Sequence, residues 1–192
     1  MSRSRPPRDN KILDALEKRP RKPFAGDSWR AVRDGRDPTV GSSAGGRWDD
    51  GTFDVLYTAL EADGATAEIH FHLSKGQPVF PSKVEYRLFK LGVQLTNCLE
   101  FIVVDDLAPL GVDTSKFGRL SYAGRAVEYT TTQAIGEAVH FLGCDGLVVP
   151  NARWKCQNLV IFTDRVSPPS LVATEDSGLI DWVAWRKKTG QA

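Results

Sequence analysis

The sequence of 192 residues predicts a single domain with an α+β fold. Short apolar runs bounded by turn residues recur along the chain, and such runs are typical of buried strands. Only a few segments carry helical periodicity, and they do not alternate with the strands in the regular βαβ order of a parallel α/β sheet. A hydrophobic content of 41% and a charged content of 26% are ordinary for a globular domain.

The composition narrows the classes of protein to which the chain can belong. A formal net charge of +1 argues against a surface that coats nucleic acid in general. Cys98, Cys144 and Cys156 form no Cys-x-x-Cys pair, which predicts reduced thiols in a cytoplasmic protein. No run approaches the roughly 20 apolar residues of a membrane helix, and the N-terminus lacks the apolar region of a secretory signal. We therefore expect a soluble, cytoplasmic protein.

Residues 1–22 are predicted to form a basic N-terminal arm, followed by a domain over residues 23–192. The arm carries eight Lys or Arg residues against three acidic ones. Asn10 is expected to cap a short helix that runs through Leu16. Two interpretations stay open: the arm docks a partner or nucleic acid, or it folds onto the domain through three aliphatic side chains. These are Ile12, Leu13 and Leu16.

The first strand is predicted at Ser28–Arg33 and the second at Phe53–Tyr57. Between them, Asp34–Gly46 is rich in Gly, Asp and Ser, which predicts a loop. A loop of this length in a compact domain is often functional, so we interpret it as the lip of an active site. Ala59–Leu73 fits two structures, because its Ala-rich start favours a helix whereas Glu-Ile-His-Phe-His-Leu alternates as a strand does.

The second half of the chain predicts one helix among several strands. The helix begins at Thr130 or Thr131 as its cap, runs through Leu142 with one apolar face, and ends at Gly143. The predicted strands are Lys83–Lys90, Leu99–Asp105, Leu147–Val149, Leu159–Phe162 and, as a closing strand or edge segment, Leu179–Trp185.

Four side chains in the first half of the chain form a compatible set for binding and cleaving a dinucleotide. The guanidiniums of Arg30 and Arg47 match phosphate groups with paired, charge-assisted hydrogen bonds. The ring of Tyr57 can stack on a flat heterocycle. The Glu68 carboxylate can hold ribose hydroxyls and stabilise positive charge that grows on a sugar carbon.

Each of these residues also has an ordinary structural explanation when it is taken alone. A single Arg is usually a surface residue in a salt bridge. Tyr57 at the end of an apolar strand is more often a core or rim residue, and Glu68 lies either on a solvated helix face or in a catalytic site. The Gly-rich Ser42–Arg47 segment lacks the Lys-Ser/Thr ending of a P-loop, and no Rossmann glycine pattern is present.

The order of these residues resembles the RES-domain family over most of the chain. In that family an early Arg precedes Gly-Gly-Arg-Trp, here Gly45–Trp48, then Leu-Tyr-Thr-Ala, here Leu56–Ala59, and then a Glu one element later. Gly146–Arg153 and Asn158–Phe162 resemble the family's C-terminal motif. Asn151 stands where the family usually has Ser, and an Asn keeps the role of a polar clamp but not that of a nucleophile.

The resemblance implies a mixed, twisted sheet similar to the ADP-ribosyltransferase toxins, a helix that carries Glu68 and a cleft for NAD. No metal is expected, because the sequence contains neither a Cys-x-x-Cys nor a His-Glu-x-x-His motif. RES proteins are typically the toxin of a bacterial toxin–antitoxin pair, silenced by an Xre-like antitoxin through which alone they would contact DNA. They cleave the nicotinamide–ribose bond of NAD. The acceptor is water, phosphate or a protein side chain, and one branch modifies phosphoribosyl pyrophosphate synthetase.

The resemblance also implies roles for individual residues. The expected catalytic residues are Glu68, Arg47 and Tyr57. The expected NAD-binding residues are Arg30, Arg47, Tyr57, Asn151 and Asn158. In this scheme the arginines bind phosphate, the tyrosine stacks on nicotinamide or ribose, the glutamate holds the ribose, and the asparagines orient the carboxamide or a phosphate.

Two other classes of function stay open at this point. On a strand, Glu68, His70 and His72 would share one face and could ligate zinc in a metal-dependent hydrolase, whereas on a helix they would not converge. Alternatively, the chain is a binding module without enzymatic activity, whose basic arm contacts nucleic acid or an acidic partner in a salt-sensitive manner.

Overall fold

The computed structural model describes residues 8–76, 85–119 and 125–190, and within them one mixed sheet is the centre of the fold. Its strands are β1 (Lys22–Arg33), β2 (Val55–Ala59), β3 (Tyr86–Glu100), β4 (Gly146–Pro150), β5 (Gln157–Phe162) and β6 (Leu171–Leu179). The α-helices are α1 (Asn10–Glu17), α2 (Ala62–Gly76), α3 (Arg125–Phe141) and α4 (Trp182–Thr189). The predicted α+β class is confirmed.

The sheet has the strand order β1-β2-β5-β4-β3-β6, and β1 also pairs with β3. Only β3 and β4 run parallel, and every other pair is antiparallel. Because β1 pairs along β3 and meets β2 where Trp29 lies opposite Ala59, five strands form a closed ring of pairings. This closure brings the middle of β1 beside the end of β2.

The apolar strands pack as their sequences predict. The predicted strands at Ser28–Arg33, Leu147–Val149 and Leu159–Phe162 lie inside β1, β4 and β5. The second strand begins two residues later than predicted, at Val55. Every residue of β4 is buried, as expected for a strand covered on both faces.

The Ala59–Leu73 ambiguity resolves to a helix, α2. The N-terminal helix α1 is capped by Asp9 rather than by Asn10, since the Asp9 carboxylate accepts a hydrogen bond from the Lys11 amide at 2.8 Å. The predicted end of α3 is confirmed at Gly143, whose φ of +80° suits a helix terminus, although the helix begins before Thr130.

Three predictions about strands are wrong. The runs at Lys83–Lys90 and Leu99–Asp105 are not separate strands, because β3 extends from Tyr86 to Glu100 as one strand; positions 83 and 84 lie outside the described residues. The Asp106 carboxylate accepts hydrogen bonds from the Ile102 and Val103 amides at 2.7 and 3.1 Å, and this ends the strand and starts a 3-10 helix, Val104–Leu110.

The predicted closing strand at Leu179–Trp185 is the third error. Its strand, β6, ends at Leu179, and Asp181 then caps α4 by accepting hydrogen bonds from the Val183 and Ala184 amides at 2.9 and 3.0 Å. Trp182 and Trp185 are therefore buried from one face of a helix instead of alternating along a strand.

The segment before β1 packs against the rest of the chain. Ile12 and Leu16 are buried in the main core cluster. The Arg8 guanidinium pairs with the Glu137 carboxylate on α3 at 2.8 Å, and Arg19 donates to the carbonyls of Glu100 and Asp106. These contacts fix α1 over α3 and the 3-10 helix.

The close contact between α3 and the Trp48 backbone predicts that adding a methyl group at Gly136 destabilises the fold. A Cβ at Gly136 would collide with the Trp48 carbonyl oxygen, so Gly136→Ala should lower the free energy of unfolding by about 1–3 kcal/mol in a urea titration, although alanine favours helix. Ala134→Gly, on the exposed side of α3, is the control and should cost about 0.5–1 kcal/mol from propensity alone. A stabilised Gly136→Ala variant would contradict this contact.

Candidate active site

A cavity of about 240 Å³ lies at the junction of β1, β2 and α2. The predicted residues that line it are Arg30, Arg47, Tyr57, Glu68 and Asn158. Arg30 lies on β1, Arg47 on the loop before β2, and Tyr57 on β2 itself. Glu68 lies on α2 and Asn158 on β5. Asn151 does not line the cavity. The structure thus brings two guanidiniums, a phenol and a carboxylate together from segments that are up to 38 positions apart in sequence.

The Gly-Gly-Arg-Trp turn is held by a buried carboxylate that the sequence did not single out. Asp49 is 1% exposed. Its Oδ1 accepts hydrogen bonds from the amides of Gly45 (2.8 Å) and Gly51 (3.2 Å), and its Oδ2 accepts from the amide of Gly46 at 2.6 Å. A buried carboxylate is stable only when such donors surround it. The turn therefore wraps around Asp49 and presents the next residue, Arg47, to the cavity.

Tyr57 joins this turn to β2. Its hydroxyl donates to Asp49 Oδ2 at 2.8 Å and accepts from the Trp48 amide at 2.9 Å. Burial, together with the Asp49 charge, raises the pKa of Tyr57 well above its usual value of 10.0. The phenol is therefore neutral at physiological pH, and its hydroxyl serves the turn while its ring lines the cavity.

Arg47 is 9% exposed and lies against two aromatic rings. Its guanidinium carbon is 4.7 Å from the ring centroid of Phe117 and 4.9 Å from that of Tyr129. Guanidiniums pack favourably on aromatic faces, and such contacts hold the planar group in one orientation. Because this cation is already ordered at the cavity wall, binding a phosphate group there costs little additional side-chain entropy.

Arg30 anchors the predicted lip of the cavity. Its guanidinium donates to the carbonyl oxygens of Pro38 and Val40, each at 2.9 Å, and so ties the Asp34–Gly46 loop to β1. Burial lowers the pKa of Arg30 to about 10, and the Asp37 carboxylate partly opposes that shift. The group remains a cation at neutral pH.

Glu68 is connected to the end of β5 through a chain of amide groups. Asn158 Nδ2 donates to Glu68 Oε1 at 3.4 Å, and Asn158 Oδ1 accepts from Asn151 Nδ2 at 2.7 Å. Asn151 is oriented in turn because its Oδ1 accepts from the amides of Arg153 and Trp154 at 2.7 and 2.9 Å. This chain gives Asn151 a supporting position behind the cavity and Asn158 a position in its wall.

Helix α2 separates the two histidines of the zinc alternative. His72 lies one turn from Glu68 and lines the cavity, whereas His70 faces Trp182, 5.9 Å away between ring centroids. Burial, and to a lesser extent Arg186, lowers the pKa of His70. Across the described ranges, no group of three or more His, Cys, Asp or Glu side chains is arranged to hold a metal ion.

The three cysteines are buried free thiols. Burial, with a smaller contribution from Glu61 and Glu68, raises the pKa of Cys156 to about 12, and burial raises that of Cys98 to about 12 as well. A thiolate is the nucleophilic form, so neither group is poised to attack a substrate at neutral pH.

Three residues of the site were not predicted from the sequence. Asp49 could have been expected from its place after the Gly-Gly-Arg-Trp turn, because Asp commonly accepts hydrogen bonds from nearby backbone amides. Arg153 closes the C-terminal motif and lines the cavity, but nothing in the sequence separates it from other arginines. Tyr129 lines the cavity from α3, which is remote in sequence from the first motifs.

Comparison with known proteins identifies a family and a fold. The family model described as RES domain matches residues 26–182. The crystal structure of the M. tuberculosis MbcT-MbcA toxin-antitoxin complex contains a chain of similar fold, with a TM-score of 0.77 and 20% sequence identity. The match covers 93% of this chain and 97% of that one. No curated protein matches the chain significantly.

Within residues 8–76, 85–119 and 125–190, no helix combines the length and the hydropathy that crossing a bilayer requires.

The Asp49 contacts predict that removing this carboxylate lowers the free energy of unfolding more than removing the carboxylate of Asp50 does. Asp49→Ala leaves three amides and the Tyr57 hydroxyl without their acceptor, so the free energy of unfolding should fall by on the order of 3 kcal/mol in a urea titration. Asp50→Ala is the matched control: Asp50 is exposed and accepts from Thr52, and its loss should cost under about 1 kcal/mol. Equal losses in the two variants would refute the special position of Asp49.

The raised pKa of Tyr57 predicts a pH dependence of stability. Because the folded state keeps Tyr57 protonated, its contribution is complete below the unfolded value near 10 and is lost as pH rises above that value. The free energy of unfolding should thus fall above pH 10 by a smaller amount in Tyr57→Phe than in the wild type. Urea titrations at pH 8 and pH 11 measure the difference, and parallel losses would contradict it.

Proposed function

Because the chain belongs to the RES-domain family, we propose that it cleaves the nicotinamide–ribose bond of NAD and transfers the ADP-ribose unit to an acceptor. The observation that carries the proposal is the single cavity lined by Arg30, Arg47, Tyr57 and Glu68. This set supplies cations for phosphate, a ring for a heterocycle and a carboxylate for a sugar.

The proposed reaction needs little proton transfer. The bond from the ribose C1′ to the pyridinium nitrogen breaks with both electrons moving to the nitrogen, so nicotinamide leaves as a neutral molecule. The acceptor then bonds to C1′ and loses a proton if it began as water, phosphate or a protein side chain. Stabilising the positive charge that develops on the ribose is therefore the main task of the site.

Glu68 is proposed to perform that task. It lies on the face of α2 that lines the cavity, and Asn158 donates to one of its oxygens. The second oxygen can accept from a ribose hydroxyl and face the growing charge. Asn151 is proposed to act through Asn158, as a positioning residue that keeps the amide donor aimed at Glu68.

Arg47 is proposed to bind a phosphate of NAD or a phosphate acceptor. It is nearly buried and its plane is set by Phe117 and Tyr129. Arg30 contributes charge at the rim, where it also holds the loop through Pro38 and Val40. The ring of Tyr57 is proposed to pack against nicotinamide or the ribose, since its hydroxyl is already committed to Asp49 and Trp48.

The biological setting that we propose is a toxin–antitoxin pair. The similar solved chain is part of the MbcT-MbcA toxin-antitoxin complex. An Xre-like antitoxin is the proposed partner, with DNA contacted only through it, and a protein acceptor such as phosphoribosyl pyrophosphate synthetase is one candidate target. Co-expression with the antitoxin should restore the growth that expression of this chain alone stops, and normal growth without the antitoxin would argue against the setting.

A direct assay tests the chemistry. Purified wild-type protein should release nicotinamide from NAD, and Glu68→Ala should release it on the order of 10²-fold or more slowly, because a fixed carboxylate at the developing charge is lost. Glu61→Ala, an exposed glutamate just before α2, is the matched control and should keep the wild-type rate. Equal rates for wild type and Glu68→Ala would remove Glu68 from the mechanism.

The same reaction identifies the acceptor. Mass spectrometry of the products, with and without phosphate and cell lysate, separates ADP-ribose, its 1″-phosphate and an ADP-ribosylated protein. A reaction in which NAD stays intact under all three conditions would overturn the proposed activity itself.

A further inference from the structure

A second cavity, of about 310 Å³, adjoins the first across a shared arginine. Arg153 lines both cavities. The first cavity is fronted by Glu68 and His72 of α2, whereas the second is lined by other residues of the same helix, Phe71 and Ser74 among them. The proposed activity assigns nothing to this second space.

The described residues that line the second cavity include three aromatic rings and no acidic side chain. Phe71, Trp154 and Trp185 supply ring surface, and Trp154 lies 5.4 Å from Trp185 between ring centroids. The polar groups at its edge are those of His70 and Ser74 with Thr189. Flat heterocycles stack well on such rings, because every base offers a π-face. Polar groups at the rim can meet the edge nitrogens of a base.

Arg153 stands between the two spaces in a defined position. Its guanidinium carbon is 3.2 Å from the ring centroid of Phe71, and it donates to the Gly118 carbonyl. The turn that carries it is fixed by Asn151, which accepts from the Arg153 amide at 2.7 Å. A guanidinium that separates two cavities can pair with an anionic linker joining the ligands of both.

The size of the first cavity leaves room for only part of a dinucleotide. Its volume of about 240 Å³ is below the roughly 300–1,000 Å³ of pockets that enclose drug-sized ligands, and a dinucleotide is larger than most of these. If the nicotinamide ribose occupies the first cavity, the adenosine half must extend out of it. The chemistry of the adjoining cavity suits that remaining half, because its aromatic rings can stack on a base and Arg153 can pair with a phosphate.

We propose that the cavity lined by Phe71, Trp154 and Trp185 seats the adenine of NAD, with Arg153 contacting the pyrophosphate between the two cavities. This inference rests on the proposed cleavage of NAD. It adds a specificity: the site should prefer a dinucleotide over nicotinamide mononucleotide, which carries the same scissile bond but no adenylate. His70 supports the assignment, because the lowered pKa keeps its imidazole neutral at pH 7, able to donate and accept.

The kinetic test compares NAD with nicotinamide mononucleotide. Wild-type protein should show kcat/KM for NAD higher by on the order of 10-fold or more, the effect of one stacked base. Ser74→Trp, which fills the second cavity from its exposed edge, should bring this ratio close to one. Lys187→Trp places the same bulk on an exposed position of α4 that lines neither cavity, and should keep the wild-type ratio.

A binding test keeps the inference separate from the activity. Calorimetry with AMP, which carries no scissile bond, should detect binding to the wild type and to Lys187→Trp, weakened on the order of 10-fold in Ser74→Trp. Thr189→Trp, which fills the cavity from α4, repeats the test if Ser74→Trp does not fold as judged by its thermal unfolding.

The outcomes separate the two proposals. AMP binding that is weakened by Ser74→Trp, in a protein that leaves NAD intact, supports the adenine seat and rejects the cleavage. NAD cleavage with equal kcat/KM for both substrates, or a preference that Ser74→Trp and Thr189→Trp leave unchanged, overturns the adenine seat and keeps the cleavage. AMP binding of equal strength in all variants also overturns it.

Discussion

The Asp49 carboxylate is the contact on which the arrangement of the cavity depends. Three backbone amides and the Tyr57 hydroxyl converge on its two oxygens in a place that is 1% exposed. Such a group is tolerated only because its donors replace water, and removing them would leave an uncompensated buried charge. The same contacts fix the Gly-Gly-Arg-Trp turn against β2, so a requirement of burial sets where Arg47 lies.

Two further contacts lock this turn from the side of α3. Gln133 donates to the Gly46 carbonyl at 2.8 Å, and Gly136 lets the helix approach the backbone of Trp48. A side chain at Gly46 would meet both Tyr57 and Asp49, so the turn admits no Cβ at that position. The short glycine motif is therefore a consequence of packing between a helix, a strand and a buried acid.

Helix α2 divides the surface around it into two chemical environments. Glu68 and His72 share one face, and His70 with Phe71 turns toward the tryptophans that follow β6. The 3.6-residue period places residues two positions apart on different sides of a helix, whereas a strand would have placed them together. The helical structure of this segment therefore directs Glu68 and His72 to the first cavity and His70 away from it.

Local sequence determined many of the secondary-structure elements of this protein, because hydrophobic periodicity and turn chemistry act over a few residues. The buried strands β4 and β5, the end of α3 at Gly143 and the α+β class follow from such patterns, and the order of Arg30, Arg47, Tyr57 and Glu68 identified the family. Asp106 and Asp181 start helices where apolar runs predicted strands, and these contacts are local as well, because each carboxylate accepts from backbone amides only a few residues away. Tertiary structure alone decided which remote side chains meet, since Arg153 and Tyr129 reach the cavity from segments that are distant from Arg47 in sequence. Long-range packing brings such side chains together, and the spacing of neighbouring residues does not encode that arrangement.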